Sequence, residues 1–363
     1  MNADFILAIG ELGKEKGIDP ELLFQAVEEA LVTAYKKNFG SNQNVRVDMN
    51  KVTGELHIYA QRHIVAEVGD DPNEISLEEA RKIDPRYEFD DIVETEVTPR
   101  NFGRIAAQNA KQVVVQRIRE AERGMVFEKF SSRENDIVTG IIQRMENKNV
   151  YIDLGKAEAI LTPNEQIPGE IYQYHDRMKT YIVEVKKTSK GPQIMVSRTH
   201  PGLLKRLFEL EVPEIHDGLV EIKSVAREPG MRSKISVYTK DENIDPVGAC
   251  VGHKGMRVQT IVNELRGEKI DIVKYSSEPD QYVANALSPA KVVSTEVLEE
   301  EKICRVIVPD YQLSLAIGKE GQNARLAAKL TGWKIDIKSE SQAAEEAEQG
   351  AQEVGVAYEA DED

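Results

Sequence analysis

The sequence is poor in cysteine and has no long apolar run. Its 363 residues include two cysteines, Cys250 and Cys304, which lie far apart and near no histidine cluster. They fit neither a zinc-ligand pattern nor a disulfide framework, so we expect two buried structural thiols. No stretch approaches the roughly 20 apolar residues that span a bilayer, and residues 1–17 lack the basic start of a signal peptide. The sequence therefore predicts a cytoplasmic protein without a membrane segment.

Signatures of catalysis are also missing. The sequence has no Walker loop, no cluster of metal ligands and no nucleophile motif. The six histidines are scattered along the chain: His57, His63, His175, His200, His216 and His253. We therefore expect a protein that is not an enzyme and that needs neither a cofactor nor a metal.

Basic residues are outnumbered, and the formal net charge of −16 at first argues against binding to nucleic acid. The charge is segregated, however. Residues 340–363 carry nine acidic residues and no basic one, which predicts a disordered acidic tail and leaves −7 for the rest. Residues 67–96 hold twelve acidic residues against three basic ones, whereas residues 99–123 hold six basic against two acidic. Local basic surfaces can therefore still meet a polyanion.

The first 130 residues predict an α/β domain. Two helices are expected between Asp4 and Phe39, the second with Asp19 as its N-cap and Pro20 at its first position. The alternating runs 44–49 and 55–65 predict a hairpin. A long helix is expected over residues 102–123, where a face separate from the apolar one carries three basic residues: Arg104, Lys111 and Arg119. Those residues form either a solvated charged face or a contact surface.

Five short β-rich runs between residues 131 and 200 fit a small barrel of the OB type. The segment GIIQRMENKNVYIDLGKAEAILTP, residues 140–163, resembles the S1 RNA-binding domain. Tyr151 stands where that family usually has an exposed aromatic residue, and Lys148 stands where a second aromatic is common. Tyr151 is thus expected either to stack on a base, with Lys148 beside it, or only to cover the barrel wall.

An internal repeat follows. VGHKGMRVQTIVNELRGEKIDI begins at residue 251 and IGKEGQNARLAAKLTGWKIDI at residue 317, with their glycine pairs in register 66 residues apart. Each unit reads as helix, two strands, helix, Gly-x-x-Gly, helix, strand. Asp245 is expected to cap the helix before the first glycine pair, and Asp310 the equivalent helix of the second unit.

A Gly-x-x-Gly turn between two helices lets the backbone adopt φ values that other residues resist. It also presents main-chain N–H groups and a helix N-terminus to an anion. These are the requirements for clamping a phosphodiester backbone beside a groove for about four nucleotides, as KH domains do. A pair of stacked helical hairpins without a ligand is the alternative. The predicted RNA-binding residues are Gly252, His253, Lys254, Gly255 and Arg257, with Gly318, Lys319, Glu320, Gly321 and Arg325. Because Glu320 is anionic, we expect the first clamp to outweigh the second.

An N-terminal module followed by S1 and two KH units of type II resembles the NusA family of bacterial transcription factors over the whole folded chain. The closest motifs are DPVGACVGHKGMRVQTIVNEL, LAIGKEGQNARLAAKLTGWKIDI and FGRIAAQNAKQVVVQRIREAER. The resemblance implies that the N-terminal module binds RNA polymerase core near the RNA exit channel. From the charge of these surfaces, we expect Arg104, Lys111 and Arg119 to contact the polymerase or the emerging RNA, and the acidic residues between Asp70 and Glu96 to meet a basic polymerase surface. It also implies that the S1 and KH array holds nascent single-stranded RNA, so that the protein modulates pausing, intrinsic termination and antitermination together with other elongation and antitermination factors.

The predicted organisation is a multidomain α+β protein, monomeric when free. It comprises an N-terminal domain (1–130), an S1 domain (131–200), a first KH domain (201–277), a second KH domain (278–339) and an acidic tail (340–363). The tail is expected either to keep the protein in solution or to compete with RNA. Two alternatives remain for the whole protein: an RNA-processing factor or enzyme, because S1 and KH modules also accompany phosphorolytic exoribonucleases, or a ribosome-associated RNA binder.

Overall fold

The computed structural model describes residues 3–39, 42–69 and 71–346. The chain divides into two compact units, Met1–Glu128 and Lys129–Asp363. Secondary structure follows the predicted order of an α/β module, a barrel and two repeated α+β units.

The first unit combines helices with a four-stranded sheet. Its elements are α1 (Ala3–Lys16), α2 (Pro20–Phe39), β1 (Asn44–Met49), β2 (Leu56–Val65), β3 (Glu74–Ser76), α3 (Leu77–Ile83), β4 (Ile92–Glu96) and α4 (Phe102–Ser131). The central strand β2 pairs antiparallel with β1 and β4 and parallel with β3. The predicted hairpin and the helix pair are confirmed, and α4 ends eight residues beyond the predicted helix.

Local sequence explains how these elements begin and pack. The Asp19 carboxylate accepts a hydrogen bond from the Glu21 N–H at 2.9 Å, which confirms the predicted cap of α2. One face of α4 is buried with α1, α2 and β1 through residues spaced four apart: Phe102, Ala106, Ala110, Val114 and Ile118. The acidic region, for which no strand was predicted, contains β3, α3 and β4. A bidentate ion pair between Arg46 of β1 and Glu94 of β4, at 2.7 and 2.8 Å, connects this region to β1.

A closed five-stranded barrel begins the second unit. Its strands are β5 (Ile137–Glu146), β6 (Asn149–Asp153), β7 (Glu158–Leu161), β8 (Arg177–Thr188) and β9 (Gly191–Ser197). Their order around the barrel is β5-β6-β7-β9-β8, with β7 and β9 parallel. Alternating residues such as Val150 and Ile152 are fully buried inside, as the period of two predicts. The prediction of an OB-type barrel is confirmed.

The two repeats share one topology. The first repeat contains α5 (Pro201–Glu211), α6 (Pro213–His216), β10 (Glu221–Glu228), β11 (Arg232–Tyr238), α7 (Pro246–Val251), α8 (Met256–Glu264) and β12 (Lys269–Lys274). The second repeat contains α9 (Pro279–Ala286), β13 (Ser294–Leu298), β14 (Ile303–Val308), α10 (Leu313–Ile317), α11 (Gln322–Thr331) and β15 (Lys334–Ser339). In each sheet the first two strands are antiparallel and the last is parallel to the second. This arrangement is the predicted αββααβ fold of type II KH domains, with the short α6 as an unpredicted addition.

The barrel and the repeats share their hydrophobic cores. Ile137 and Tyr181 of the barrel belong to the core of the first repeat. Ala226 and Val273 of the first repeat belong in turn to the core of the second. The three modules of the second unit are therefore joined by buried apolar contacts and not only by linkers.

The two predicted helix caps have different outcomes. Asp245 caps α7 by accepting from the Val247 N–H at 3.1 Å, as expected. The prediction for Asp310 is wrong, because this residue lies in a 3-10 turn ahead of α10. Its carboxylate instead accepts hydrogen bonds from the backbone and the hydroxyl of Ser341, at 3.3 and 2.8 Å.

Residues 340–346 of the predicted acidic tail are helical, and the remainder of the tail lies outside the described residues.

Both cysteines are buried and unpaired, and burial raises the pKa of the Cys250 thiol to about 12. Within the described ranges, no helix is both long and apolar enough to cross a membrane.

Candidate nucleic-acid interface

The two Gly-x-x-Gly motifs form loops of the same shape. The first loop, Gly252–Gly255, joins α7 to α8, and the second loop, Gly318–Gly321, joins α10 to α11. The leading glycines have φ/ψ angles of 73°/177° and 77°/170°, and the trailing glycines have 77°/12° and 73°/14°. All four φ values lie where a side chain would be strained, so the motif meets a backbone requirement in both repeats.

Space distinguishes the leading glycines from the trailing ones. A Cβ on Gly252 would lie 2.7 Å from Cγ of Arg257, and one on Gly318 would lie 2.8 Å from the backbone N of Asn323. A Cβ on either trailing glycine would meet nothing within 4 Å. The leading glycine therefore permits a close approach of the loop to the following helix, whereas the trailing glycine borders open space.

Opposite charges occupy one backbone position in the two loops. Lys254 has φ/ψ of 50°/28°, and Glu320 has 53°/29°. Both residues are exposed, as are His253 and Lys319 just before them. Each loop leads into the N-terminus of a helix, whose first N–H groups lack partners within that helix. The first loop thus offers a cation where the second offers an anion.

Arg257, predicted to contact RNA, is engaged within the first repeat. One guanidinium nitrogen, Nη1, lies 2.9 Å from Oε2 of Glu214 and donates to the carbonyl oxygen of Ala249 at 2.6 Å. Ala249 lies in the last turn of α7, where carbonyl groups lack helical partners. Arg257 therefore caps the helix ahead of the first loop, and any contact with RNA stays a prediction.

Arg325 is also paired with a carboxylate. Its Nε donates to Oε1 of Glu228 in β10, at 2.7 Å. This hydrogen bond, helped by one from Gln322, holds the pKa of Glu228 below its ordinary value in spite of partial burial. Arg325 is not the counterpart of Arg257, because Arg257 corresponds to Asn323 in the register of the repeat.

Exposed apolar side chains lie next to the loops, and sequence analysis missed them. Met256 follows the first loop and is 67% exposed, while Leu315 and Ile317 precede the second loop at 46% and 37%. Such surfaces suit the faces of unstacked bases. A signal was present in the sequence, because α10 has four apolar residues out of five but buries only Ala316.

On the barrel, Tyr151 is half-buried and carries a cation over its ring. The guanidinium carbon of Arg144 lies 4.0 Å from the ring centroid, and Arg144 pairs with Glu158 at 2.8 Å. Lys148 is exposed in the β5–β6 turn with φ of 66°, and its carbonyl oxygen accepts from Gln166 at 2.7 Å. The two predicted residues share a hairpin, and Arg144 covers part of the ring that would stack on a base.

In the first unit, Arg104, Lys111 and Arg119 are exposed on α4. Their spacing of seven and eight residues places them in one stripe along the helix. Within the described residues, neither a hydrogen bond nor an ion pair joins any of them to a side chain. The stripe is therefore an unneutralised basic surface of the first unit.

Buried ion pairs lie at the end of the barrel and in the first repeat. The side chain of Arg198, at the end of the barrel, is 1% exposed, and it contacts Glu170 and the carbonyl oxygen of Glu264, the latter at 3.0 Å.

A second buried pair lies in the first repeat, where Arg227 and Glu268 are fully buried and paired at 2.8 Å. Burial alone would raise the pKa of Glu268, but hydrogen bonds from Arg227, Ser233 and the Gly230 N–H lower it below its ordinary value. Each of these buried charges therefore has a hydrogen-bonded partner of opposite charge.

Four known family models match consecutive parts of the chain. They are the NusA N-terminal domain (residues 4–124), the S1 RNA binding domain (131–197), the NusA-like first KH domain (198–275) and the NusA-like second KH domain (279–345). Together these matches cover nearly all of the described residues.

Full-length relatives give the same result. The transcription termination/antitermination protein NusA of Halalkalibacterium halodurans is 65% identical over 345 residues, which cover 95% of this chain and 90% of the relative. The protein of the same name from Bacillus subtilis is 64% identical, with 95% and 93% covered. That of Thermus thermophilus is 42% identical over 346 residues, with 92% and 89% covered.

Proposed function

Because the chain belongs to the NusA family of transcription termination/antitermination proteins, we propose that it is an RNA-binding elongation factor that acts on RNA polymerase and its nascent transcript. The observation that carries the proposal is the pair of loops with the same left-handed backbone, set in tandem on repeats that share buried cores. The protein would work by binding and not by catalysis, in the cytoplasm and as a monomer when free.

Each loop is suited to one segment of single-stranded RNA. The glycines keep side chains away from the turn, so a phosphate can approach the positive N-terminal end of α8 or α11. Lys254 and Lys319 add positive charge beside the phosphate, and the apolar neighbours Met256, Leu315 and Ile317 offer surface to the bases. Once one segment is bound, the other loop meets the same strand at a high effective concentration.

The first unit would bind RNA polymerase core near the RNA exit channel. Its basic stripe of Arg104, Lys111 and Arg119 is available to polymerase or to emerging RNA, since no described side chain neutralises it. The acidic region around α3 would face a basic protein surface. In this arrangement the transcript passes from the polymerase to the S1 and KH domains. By holding the transcript there, the protein would modulate pausing, termination and antitermination together with other factors.

RNA binding is tested at the trailing glycines, where a new side chain has room. Gly255→Asp and Gly321→Asp place a negative charge at the clamp, and Gly255→Asn and Gly321→Asn are matched neutral controls of the same shape. Asparagine and aspartate both tolerate a positive φ better than other residues do. We expect the aspartate variants to bind a single-stranded RNA oligonucleotide about tenfold more weakly than the asparagine variants. Equal affinities would contradict the proposal.

Polymerase binding is tested by capturing the tagged protein with and without nuclease. Core polymerase should remain bound after nuclease treatment, and changing Arg104, Lys111 and Arg119 to glutamate should weaken binding to transcribing complexes. The same residues changed to glutamine separate loss of charge from its reversal. Copurification with ribosomes in place of polymerase would favour the ribosome-associated alternative.

A further inference from the structure

Glu228, at the end of β10 in the first repeat, holds two side chains of the second repeat. Its Oε1 accepts from Nε of Arg325 at 2.7 Å, and its Oε2 accepts from Nε2 of Gln322 at 2.8 Å. Gln322 is the first residue of α11, directly after the second loop. The side chain of Glu228 is only 17% exposed, so its position is well defined by the surrounding protein. One carboxylate thus connects the first repeat to the start of α11.

Arg325 extends this connection into the second loop. Its Nη1 donates to the carbonyl oxygen of Glu320 at 3.2 Å. Glu320 has the left-handed backbone of the third loop position, which a residue with a side chain adopts only at an energetic cost. A hydrogen bond to its carbonyl group stabilises that orientation of the peptide. Glu228, Arg325 and the Glu320 carbonyl group therefore form a bridge from one repeat to the loop of the other.

The first loop is supported differently. The residue equivalent to Arg325 is Gln259, whose amide donates to Asn263 along its own helix. Support for α7 comes from Arg257 and Glu214, both within the first repeat. Among the described residues, then, the bridge to a neighbouring repeat is a feature of the second loop.

We propose that Glu228 is a positioning residue for RNA at the second loop. Through Arg325 it keeps that loop in the shape that accepts a phosphodiester backbone, although Glu228 itself belongs to the other repeat. This inference rests on the proposed function and names the residues outside the loop on which the second RNA contact depends. Arg325 then supports the loop and does not bind phosphate. The two roles predict opposite effects of changing Glu228 on the affinity for RNA.

The discriminating variant is Glu228→Gln in the full chain. A glutamine amide keeps the shape but offers one acceptor and one donor to two donors, so Arg325 or Gln322 loses its partner. We expect about three- to tenfold weaker binding to a single-stranded RNA of about ten nucleotides, long enough for both loops, because the competent loop becomes less populated. If Arg325 were a phosphate ligand, its release would strengthen binding. Glu296→Gln is the matched control, since Glu296 is exposed, pairs with Arg305 and contacts neither loop.

Hydrogen–deuterium exchange provides a readout that does not depend on RNA. The Gly321 N–H donates to the Gly318 carbonyl group at 3.1 Å, and the Gly255 N–H donates to Gly252 at the same distance. Glu228→Gln should speed exchange in the second loop and leave the first loop unchanged. Arg325→Gln should also speed exchange in the second loop and leave the first loop unchanged. The double variant should exchange no faster than either single variant, as expected for residues that act through one contact.

The outcomes separate this inference from the proposed function. Failure of the unmodified protein to bind single-stranded RNA would contradict the proposed function. An unmodified protein that binds, together with a Glu228→Gln variant that binds equally well or more tightly, would overturn the inference alone. Unchanged exchange in the second loop of that variant would overturn it as well.

Discussion

Arg257 and Glu214, 43 residues apart in the chain, meet behind the first loop with Nη1 of the arginine 2.9 Å from a carboxylate oxygen. The same nitrogen donates to the Ala249 carbonyl group at the end of α7. An arginine expected to face RNA is thus part of the support of the loop. Because both side chains are about one-third exposed, the pair is partly screened by solvent.

Removing this support should loosen the first loop. Arg257→Gln shortens the side chain and leaves the Ala249 carbonyl group without its donor, so we expect local stability around α7 to fall by about 1 kcal/mol. Native-state hydrogen exchange in α7 and α8 measures this change. Arg305→Gln, which breaks an exposed pair on the second repeat, is the control and should leave exchange in α7 unchanged. Equal exchange in the two variants would show that Arg257 does not support the helix.

The leading and trailing glycines should differ in their tolerance of alanine. Gly255→Ala introduces a left-handed alanine with free space around it, at a cost of about 1 kcal/mol. Gly252→Ala adds a contact at 2.7 Å and a backbone conformation essentially restricted to glycine, so we expect about 3 kcal/mol. Thermal denaturation of the two variants, compared with the matched pair Gly318→Ala and Gly321→Ala, tests the order. Equal losses within either pair would contradict the structure of that loop.

The third loop position should control the difference between the two clamps. Lys254 and Glu320 have nearly the same backbone angles, so exchanging their charges changes electrostatics and little else. Lys254→Glu should weaken RNA binding and Glu320→Lys should strengthen it, each by about two- to fivefold at moderate salt. Affinities measured over a series of salt concentrations would show the salt dependence shallower in the first variant and steeper in the second. A change of the same sign in both variants would rule out a shared role for this position.

The buried pair of Arg227 and Glu268 should make the second unit sensitive to acid. Since the pKa of Glu268 is lower in the folded protein than in the unfolded chain, its stabilising effect is complete above the unfolded value of about 4.3 and is lost as the pH falls toward the folded value. Glu268→Gln leaves Arg227 buried without a counter-charge, so we expect a loss of about 3–5 kcal/mol at neutral pH and a weaker response to acid.

Chemical denaturation between pH 3 and pH 7, in steps of about one unit, measures both effects. Glu146→Gln, at an exposed pair on the barrel, is the control and should change stability by less than about 1 kcal/mol. An acid response as steep in Glu268→Gln as in the unmodified protein would assign the pH dependence to other groups, for example Asp271, whose pKa is also lowered.

Sequence periodicity and the repeat were enough to predict the barrel, both αββααβ units and the glycine loops, because each depends on residues close together in the chain. The partners of Arg257 and Arg325 could not be predicted in this way. Glu214 and Glu228 lie 43 and 97 residues away, and only the packing of α6 and β10 brings them to the loops. Asp310 was misassigned for the same reason, since its partner Ser341 follows the whole second repeat.

Tyr181 of the barrel lies in the core of the first repeat, and Val273 of the first repeat lies in the core of the second. Pulling the modules apart would expose this apolar surface to water at about 25 cal/mol per Å². If both loops bind one RNA as proposed, their separation on this unit is fixed, and only the RNA between them can adjust its path. The length and stiffness of the intervening nucleotides then decide whether one RNA can occupy both loops.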